Sequence, residues 1–229
     1  MSEVGADPAD LVLDGEVALL DFDGLVIDTE YAGWKSWSEL YTLHGLELTE
    51  QEWAHQCGRE VMFEPWEPLE ARGLRDRPQL DQRRLLRRDE LLVVLPGVRE
   101  FLDRMHAARQ RVGIVSNSPL KWIHRNLERH GIDPRSFAVI IGGKDHPPKP
   151  SPERYLRAVF ELGIAPHDAV AVEDSAKGVM AAVAAGLRCV AIASRITRHS
   201  DLSGAHHRLA SLRSLHLKPR PGGEHATAR

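Results

Sequence analysis

The stretch LLDFDGLVIDTE, residues 19–30, places three carboxylates within eight positions directly after an apolar run. That run, VALLDF at residues 17–22, is typical of a short strand buried on both faces. Carboxylates crowded at the end of such a strand repel one another and lose contact with water. A chain tolerates this arrangement where a metal ion, hydrogen-bond donors or a reaction uses the charges. Asp21, Asp23 and Asp28 are therefore the first candidate site residues.

Further apolar stretches alternate with helical patterns along the chain and indicate the fold class. The predicted strands are RVGIVSNS (111–118), FAVIIGG (137–143), DAVAVED (168–174) and RCVAIA (188–193). Helical patterns fill the gaps, for example from Pro119 to the stop signal at Gly131. Continuous apolar strands that alternate with helices predict an α/β fold, a doubly wound parallel sheet with helices on both faces.

The segment 29–95 interrupts this alternation, because it reads as helical throughout. Residues 31–44 are amphipathic with apolar side chains at helical spacing. Thr49 with Glu52 forms a capping box, which is the signature of a helix start. A block of helices inserted after the first strand predicts a small α-helical cap domain.

The domain boundaries follow from these patterns. We predict a core domain at residues 16–29 and 96–217, with the helical cap domain at residues 30–95. Residues 1–15 and 218–229 are rich in proline, glycine and charge without periodicity. We expect both of these end segments to be flexible.

Composition argues against several classes of protein. The 229 residues carry a formal net charge of -3, so no bulk attraction to nucleic acid or to an anionic membrane is expected. Cys57 and Cys189 lack the spacing of a disulfide framework or a zinc site. With no secretory signal and no apolar run that could span a bilayer, we expect a cytoplasmic protein, either a monomer or a homodimer.

Polar residues follow four of the predicted strands, at the sheet edge where parallel α/β folds bind ligands. They are Asp21 and Asp23 after the first strand, Ser116 and Asn117 after the second, Lys149 in the loop after the third, and Glu173 and Asp174 after the fourth. Because the carboxyl ends of parallel strands share one edge, we expect these side chains to converge.

The chemistry of these residue types points to transfer of a phosphoryl group. Carboxylates suit a hard divalent cation such as Mg²⁺, while Lys149 and Ser116 suit phosphoryl oxygens. Asp21, at the strand end, is the natural nucleophile, because a carboxylate is ionised at neutral pH. Asp23, two residues further on, can protonate the leaving oxygen and then activate water. Gly24 relieves the backbone where the chain turns beside the substrate.

Four segments in this order resemble the motifs of the haloacid dehalogenase superfamily, in particular its members with a helical cap after the first strand. They are DFDGLVIDTE (21–30), SNS (116–118), KPSPE (149–153) and VEDSAKG (172–178). Four motifs in order are far more specific than any single short match. The resemblance covers roughly residues 15–215 and implies a Rossmann-like core beneath the cap.

The resemblance also implies a set of metal ligands. Asp21, the main-chain oxygen of Asp23 and the carboxylate of Asp174 would bind Mg²⁺. Glu173 would lie in or near the second layer of residues around the ion. The expected cofactor is therefore Mg²⁺.

Contacts with the substrate follow from the same resemblance. Ser116 and Lys149 would contact the phosphoryl oxygens, with Asn117 beside them, while the cap closes over the leaving group and excludes water. Two further residues are expected to touch the substrate. They are Glu30 at the entrance to the cap and Arg59 in the loop after the capping-box helix, since arginine suits anionic ligands.

Other residues near the motifs are predicted to have structural roles. Asp28 would fix the turn into the cap, and Ser118 would cap the helix that follows the second motif. Trp34, Trp37 and Tyr41 are expected to pack within the cap.

The sequence thus predicts a Mg²⁺-dependent phosphatase that acts on a small phosphorylated metabolite, such as a sugar phosphate or phosphoglycolate, through an aspartyl-phosphate intermediate. The first alternative is a phosphomutase similar to beta-phosphoglucomutase, although Gly33 stands where such relatives place a histidine. A dehalogenase proper is disfavoured by Asp23, since a halide leaving group needs no protonation. A non-catalytic binding protein on the same scaffold is a further alternative, and a nucleic-acid module is the weakest.

Overall fold

A parallel sheet forms the centre of the computed structural model, which describes residues 10–57 and 64–218. The strands are β1 (Leu11–Asp14), β2 (Val17–Leu20), β3 (Arg111–Val115), β4 (Val139–Ile141), β5 (Ala169–Glu173), β6 (Arg188–Ile192), β7 (His207–Leu209) and β8 (Leu215–Lys218). Within the described residues the central sheet has six strands in the order β4-β3-β2-β5-β6-β7, all parallel. Because the connections diverge on either side of β2, the ends of β2, β3 and β5 meet at one edge.

The described residues form eight α-helices, which are α1 (Thr29–Leu43), α2 (Glu50–Cys57), α3 (Glu67–Ala71), α4 (Arg77–Leu91), α5 (Val98–Ala107), α6 (Leu120–Arg129), α7 (Glu153–Leu162) and α8 (Ala176–Ala184). The last four of these helices cover the two faces of the sheet. None of the helices in the described part of the chain is long and apolar enough to cross a lipid bilayer.

The strands bury apolar side chains on both faces, which explains their continuous apolar sequence. From β2, Ala18 and Leu20 join the apolar cluster that includes residues of α5 and α6. Val17 and Leu19 point the other way and join the cluster that includes residues of α7 and α8. This arrangement confirms the predicted doubly wound α/β fold.

Each strand predicted from the sequence ends one to three residues earlier in the structure. β2 ends at Leu20 rather than at residue 22, and β3 ends at Val115 rather than at residue 118. The chain turns out of the sheet at these points, so the polar residues behind each strand face the sheet edge instead of extending the ladder.

The helices α1 to α4 form a layer with an apolar cluster of its own. That cluster contains Trp37, Leu40, Tyr41, Leu48, Trp66 and Leu69, and it is separate from the two clusters that flank the sheet. α1 begins at Thr29 because the Asp28 carboxylate accepts the backbone N–H of Tyr31 at 3.1 Å. The predicted turn role of Asp28 is therefore confirmed.

The predicted capping box at the start of α2 is also present. The backbone N–H of Thr49 donates to Glu52 Oε2 at 2.8 Å, and the backbone N–H of Glu52 donates to Thr49 Oγ1 at 3.2 Å. The short helix α3 was not distinguished in the sequence.

The two connections between the helical layer and the sheet run side by side. The backbone N–H of Asp28 donates to the carbonyl of Val93 at 2.9 Å, and that of Leu95 donates to the carbonyl of Val26 at 3.1 Å. Ile27 and Val94 lie opposite each other as an isolated antiparallel bridge. Entry into and exit from the helical layer therefore form one narrow paired junction.

One expectation about the chain ends is wrong. Residues 11–14, within the segment predicted to be flexible, form β1, which pairs in parallel with β8 from Leu11 opposite Leu215 to Asp14 opposite Lys218. Leu13 and Leu217 are buried in the same cluster as α5. The partner strands are about two hundred residues apart in sequence, so no local pattern signals the pairing. Residues 1–9 and 219–229 lie outside the described residues.

A prediction follows from the packing around Gly113 in β3. A Cβ at Gly113 would lie 2.7 Å from Val139 Cγ1 and 2.8 Å from Leu19 Cδ2, so Gly113→Ala overpacks the sheet between β2 and β4. We expect urea unfolding to show a loss of about 1–3 kcal/mol in the free energy of unfolding.

The matched control is Gly204→Ala, because a Cβ there would make an ordinary contact of 3.4 Å with Val179 Cγ1. We expect it to change the free energy of unfolding by no more than about 0.5 kcal/mol. Equal losses in the two variants would contradict this account of Gly113.

Candidate active site

A cavity of about 280 Å³ opens at the carboxyl edge of the sheet, where the ends of β2, β3 and β5 meet. Its lining residues are Asp21, Asp23, Glu30, Ser116, Asn117, Lys149, Asp174, Ser175, Ala176, Lys177, Thr197 and Ser200. The structure thus brings together seven of the side chains proposed from the sequence. Arg59 lies outside the described residues.

Lys149 lines this cavity, and its ammonium group donates to three acceptors. Nζ donates to Asp21 Oδ1 at 2.7 Å, to Glu173 Oε1 at 2.5 Å and to the carbonyl of Val115 at 2.6 Å. Burial alone would lower the pKa of Lys149, but the charges of Asp21 and Glu173 raise it above its ordinary value. Lys149 is therefore a cation that offsets two buried carboxylates.

Three buried acids gather beside Lys149. Carboxylate oxygens of Asp21, Glu173 and Asp174 lie within 4.8 Å of one another. Burial raises the pKa of Asp21 to about 7, even though Lys149 opposes the shift. Burial also raises the pKa of Asp174 well above its ordinary value, reinforced by the charges of Asp21 and Glu30.

A divalent cation would relieve this crowding, because it stabilises the ionised carboxylates that burial and mutual repulsion disfavour. Oxygen ligands are the type that Mg²⁺ and Ca²⁺ take in proteins. The donor set therefore fits a divalent metal ion. The predicted ligands Asp21 and Asp174 belong to this cluster together with Glu173, whereas the side chain of Asp23 is engaged elsewhere.

The Asp23 carboxylate accepts three hydrogen bonds from the loop after β3 and from α6. Ser118 Oγ donates to Oδ2 at 2.6 Å, Ser116 Oγ donates to Oδ2 at 3.2 Å, and Trp122 Nε1 donates to Oδ1 at 3.1 Å. The expectation that Ser118 caps the following helix is wrong. Pro119 occupies the capping position of α6 without a side-chain bond, and Ser118 turns toward Asp23.

Gly24 lies against Asp174 and is not among the residues that line this cavity. Its φ of +80° is in the left-handed region, and a Cβ there would lie 2.1 Å from Asp174 Oδ2. Glycine is therefore required for the turn after Asp23 to pass beside an acid of the cluster.

Asn117 joins the two loops that carry Ser116 and Lys149. Its Nδ2 donates to the carbonyl of Lys149 at 3.3 Å, and its Oδ1 accepts the backbone N–H of Lys149 at 2.8 Å. These paired bonds fix the start of the KPSPE segment next to the second motif. Asn117 lines the cavity and also sets the position of Lys149.

Glu173 is completely buried beneath the cavity rather than lining it. Its Oε1 accepts hydrogen bonds from Lys149 Nζ and from Tyr155 Oη, each at 2.5 Å. Gly178 provides the space for its other oxygen, since a Cβ at Gly178 would lie 1.8 Å from Oε2. The structure therefore places Glu173 where it positions Lys149.

Several site residues were missed in the sequence. Lys177 and Ser175 line the cavity from the start of α8, and Thr197 and Ser200 line it from the loop after β6. Lys177 lies within the VEDSAKG segment, so the motif itself was a signal for it. The loop after β6 matches none of the four motifs, and only the folded chain brings it over Asp174, where Thr197 Oγ1 donates to Oδ2 at 3.3 Å.

The helical layer also contacts this loop directly. Arg195 donates from Nε to Glu50 Oε2 at 3.1 Å, and its guanidinium carbon lies 4.7 Å from the centre of the Tyr31 ring. Arg198 lies 3.5 Å from the same carboxylate. The start of α2 is thereby held over the side of the cavity formed by the loop after β6.

The chain is similar to a known protein family and to several of its members. The family model described as haloacid dehalogenase-like hydrolase matches residues 18–192. The chain is 32% identical over 205 residues to YhcW of Bacillus subtilis. This alignment covers 87% of this chain and 93% of YhcW. It is 28% identical over 179 residues to the phosphorylated carbohydrates phosphatase of Thermotoga maritima. This alignment covers 75% of this chain and 82% of that phosphatase.

A solved structure shows the same fold. A mutant of CbbY from Rhodobacter sphaeroides, in complex with xylulose-(1,5)bisphosphate, is 26% identical and superposes with a TM-score of 0.65. The match covers 86% of this chain and 95% of the CbbY chain, so it includes both the sheet and the helical layer.

A prediction concerns the charge balance around Lys149. Lys149→Met leaves two buried carboxylates without their cation, so we expect a loss of about 3–5 kcal/mol in the free energy of unfolding, measured by urea denaturation in EDTA. In a Glu173→Gln background the same substitution should lose at least about 1 kcal/mol less, because one uncompensated charge is absent. Equal losses in the two backgrounds would contradict this role of Lys149.

Proposed function

The chain belongs to the haloacid dehalogenase-like hydrolases, and on this basis we propose that it is a Mg²⁺-dependent phosphatase that hydrolyses a small phosphomonoester. The observation that carries the proposal is the Lys149 ammonium, bonded to Asp21 and Glu173 at 2.7 and 2.5 Å beside Asp174 in the cavity. A phosphoryl group brings negative charge, and such a site combines a nucleophilic carboxylate with the cations that would offset that charge.

In the first step the Asp21 carboxylate attacks phosphorus. A bond forms between a carboxylate oxygen of Asp21 and phosphorus, and the bond between phosphorus and the ester oxygen breaks. Asp23 gives its proton to the leaving oxygen, which departs as an alcohol. The product on the protein is an aspartyl-phosphate at Asp21.

In the second step water attacks the phosphorus of this intermediate. Asp23, now ionised, takes a proton from the water as its oxygen bonds to phosphorus. The bond between Asp21 and phosphorus breaks, so inorganic phosphate leaves and both aspartates return to their starting states. Asp23 thus acts as acid in the first step and as base in the second.

The surrounding residues bind and orient the phosphoryl group. Lys149 and Ser116 would contact its oxygens, and Asn117 joins the two loops that carry them through its hydrogen bonds to the Lys149 backbone. Asp21, Asp174 and the main-chain oxygen of Asp23 would hold Mg²⁺, with Glu173 fixing Lys149 beside it. When bound, the ion supplies positive charge that stabilises the phosphoryl oxygens as charge develops on them.

A sugar phosphate is the substrate class that the relatives favour. One relative is named a phosphatase of phosphorylated carbohydrates, and the related CbbY structure contains xylulose-(1,5)bisphosphate. A cavity of about 280 Å³ is at the small end of the range for ligand pockets. We propose that residues 30–95 form a cap domain that selects the leaving group, with Glu30 and Arg59 as contacts, while the core residues handle the phosphoryl group.

The phosphomutase alternative gains no support at Gly33. This position has no side chain to handle a proton, and a Cβ there would lie 3.3 Å from the Trp53 ring. The phosphatase therefore remains the function that we propose.

The first prediction is release of inorganic phosphate from a panel of sugar phosphates, phosphoglycolate, glycerol phosphate and nucleotides. We expect release with Mg²⁺ and none in EDTA, with sugar phosphates ranked first. Asp21→Asn should lower the rate by at least about a thousandfold, because it removes the nucleophile. Conversion of beta-glucose 1-phosphate to glucose 6-phosphate without phosphate release would instead indicate a mutase. No phosphate release from any substrate of the panel would contradict the proposal.

The second prediction concerns the covalent intermediate. Asp23→Asn removes the base of the second step, so para-nitrophenyl phosphate, whose leaving group needs no proton, should leave a phosphoryl group trapped on Asp21. Mass spectrometry of the acid-quenched protein would locate it. Asp21→Asn is the control and should remain unmodified. A phosphoryl group on another residue would refute Asp21 as the nucleophile.

A further inference from the structure

Trp122 is a contact of Asp23 that none of the four motifs contains. It lies in the first turn of α6, half-buried, and its indole N–H donates to Asp23 Oδ1 at 3.1 Å. The other two partners of this carboxylate, Ser116 and Ser118, both contact Oδ2. The two oxygens of Asp23 are therefore held by chemically different groups.

This difference fixes the orientation of the Asp23 carboxylate. An indole N–H only donates, so Trp122 holds Oδ1 as an acceptor on the α6 side. Ser116 and Ser118 hold Oδ2 from the loop after β3. The three donors therefore set the plane of the carboxylate from two directions.

The ring of Trp122 is itself held by the helical layer. The guanidinium carbon of Arg88, in the last turn of α4, lies 4.7 Å from the centre of the ring. The next residue, Asp89, forms a short ion pair with Arg125 and lies 3.8 Å from Arg129 Nη1. Trp122, Arg125 and Arg129 are spaced by three and four positions, so they share one side of α6.

We propose that Trp122 is a positioning residue for proton transfer by Asp23, and that Arg88 holds the indole in the orientation this requires. The inference rests on the proposed phosphatase function, because it assigns Trp122 a role through the acid and base of that reaction. It links the end of the helical layer to the proton-transfer group through one ring.

The experiment compares two substrates that differ in their need for an acid. One is the sugar phosphate that the wild-type enzyme hydrolyses fastest, whose alcohol leaves only with a proton. The other is para-nitrophenyl phosphate, whose leaving group departs without one. The measured quantity is kcat/KM, which reports the steps up to transfer of the phosphoryl group to Asp21, and so isolates the acid role of Asp23 from its later role as base.

Trp122→Phe keeps an aromatic ring beside Arg88 but removes the N–H donor. We expect kcat/KM to fall about tenfold for the sugar phosphate, the size of one hydrogen bond to a charged group, and less than about twofold for para-nitrophenyl phosphate. Trp34→Phe is the matched control, since it removes the hydrogen bond of 2.9 Å from the indole N–H to the carbonyl of Leu48 inside the helical layer. It should change kcat/KM by the same factor for both substrates.

Arg88→Met tests the same inference without altering the indole. We expect kcat/KM to fall about threefold for the sugar phosphate alone, because the stacking contact with Trp122 is lost. Arg84→Met is its control, because Arg84 stacks 4.1 Å from the centre of Trp37, within the helical layer and away from Asp23. Thermal unfolding of all four variants would verify that each is folded.

Equal losses for both substrates in Trp122→Phe, or no loss for either, would overturn the positioning role while leaving the phosphatase function intact. Absence of Mg²⁺-dependent phosphate release by the wild-type enzyme would overturn both. The two failures are therefore distinguishable from the same set of assays.

Discussion

The ammonium of Lys149 is the interaction on which the rest of the site depends. Three acids are buried within 4.8 Å of one another at the sheet edge, and burial without a cation would drive them to take up protons. Lys149 offsets two of them through direct hydrogen bonds and is itself fixed by Asn117 and by the carbonyl of Val115. Once that charge is in place, the strand ends can carry carboxylates where a sheet would otherwise require apolar side chains.

The sheet topology explains why these groups meet. β2 is hydrogen-bonded to β3 on one side and to β5 on the other, so the residues that follow each strand arrive at one place from three directions. Both faces of these strands are packed by helices, which holds the edge rigid. A rigid edge suits a reaction that depends on the placement of a few atoms.

The helical layer is built differently and touches the site at its margins. It has its own apolar cluster, a paired two-strand junction with the core, and polar or ionic contacts through Glu50 with Arg195 and through Asp89 with Arg125. Exposed ionic contacts contribute little individually and exchange readily with water. The layer is therefore joined to the core by a narrow junction and a few ion pairs.

The sequence by itself determined the five strands β2 to β6, the fold class and the acids, lysine and serine of the cavity, because buried parallel strands and strand-end motifs are local patterns. Only the tertiary structure decided the pairing of β1 with β8, the turn of Ser118 toward Asp23, the bond from Trp122, and the loop of Thr197 over Asp174. Each of these joins residues from separate elements, and a hydrogen bond between distant segments leaves no periodicity in either one. A buried strand can be recognised from consecutive residues, whereas these contacts form only when the separate elements have packed.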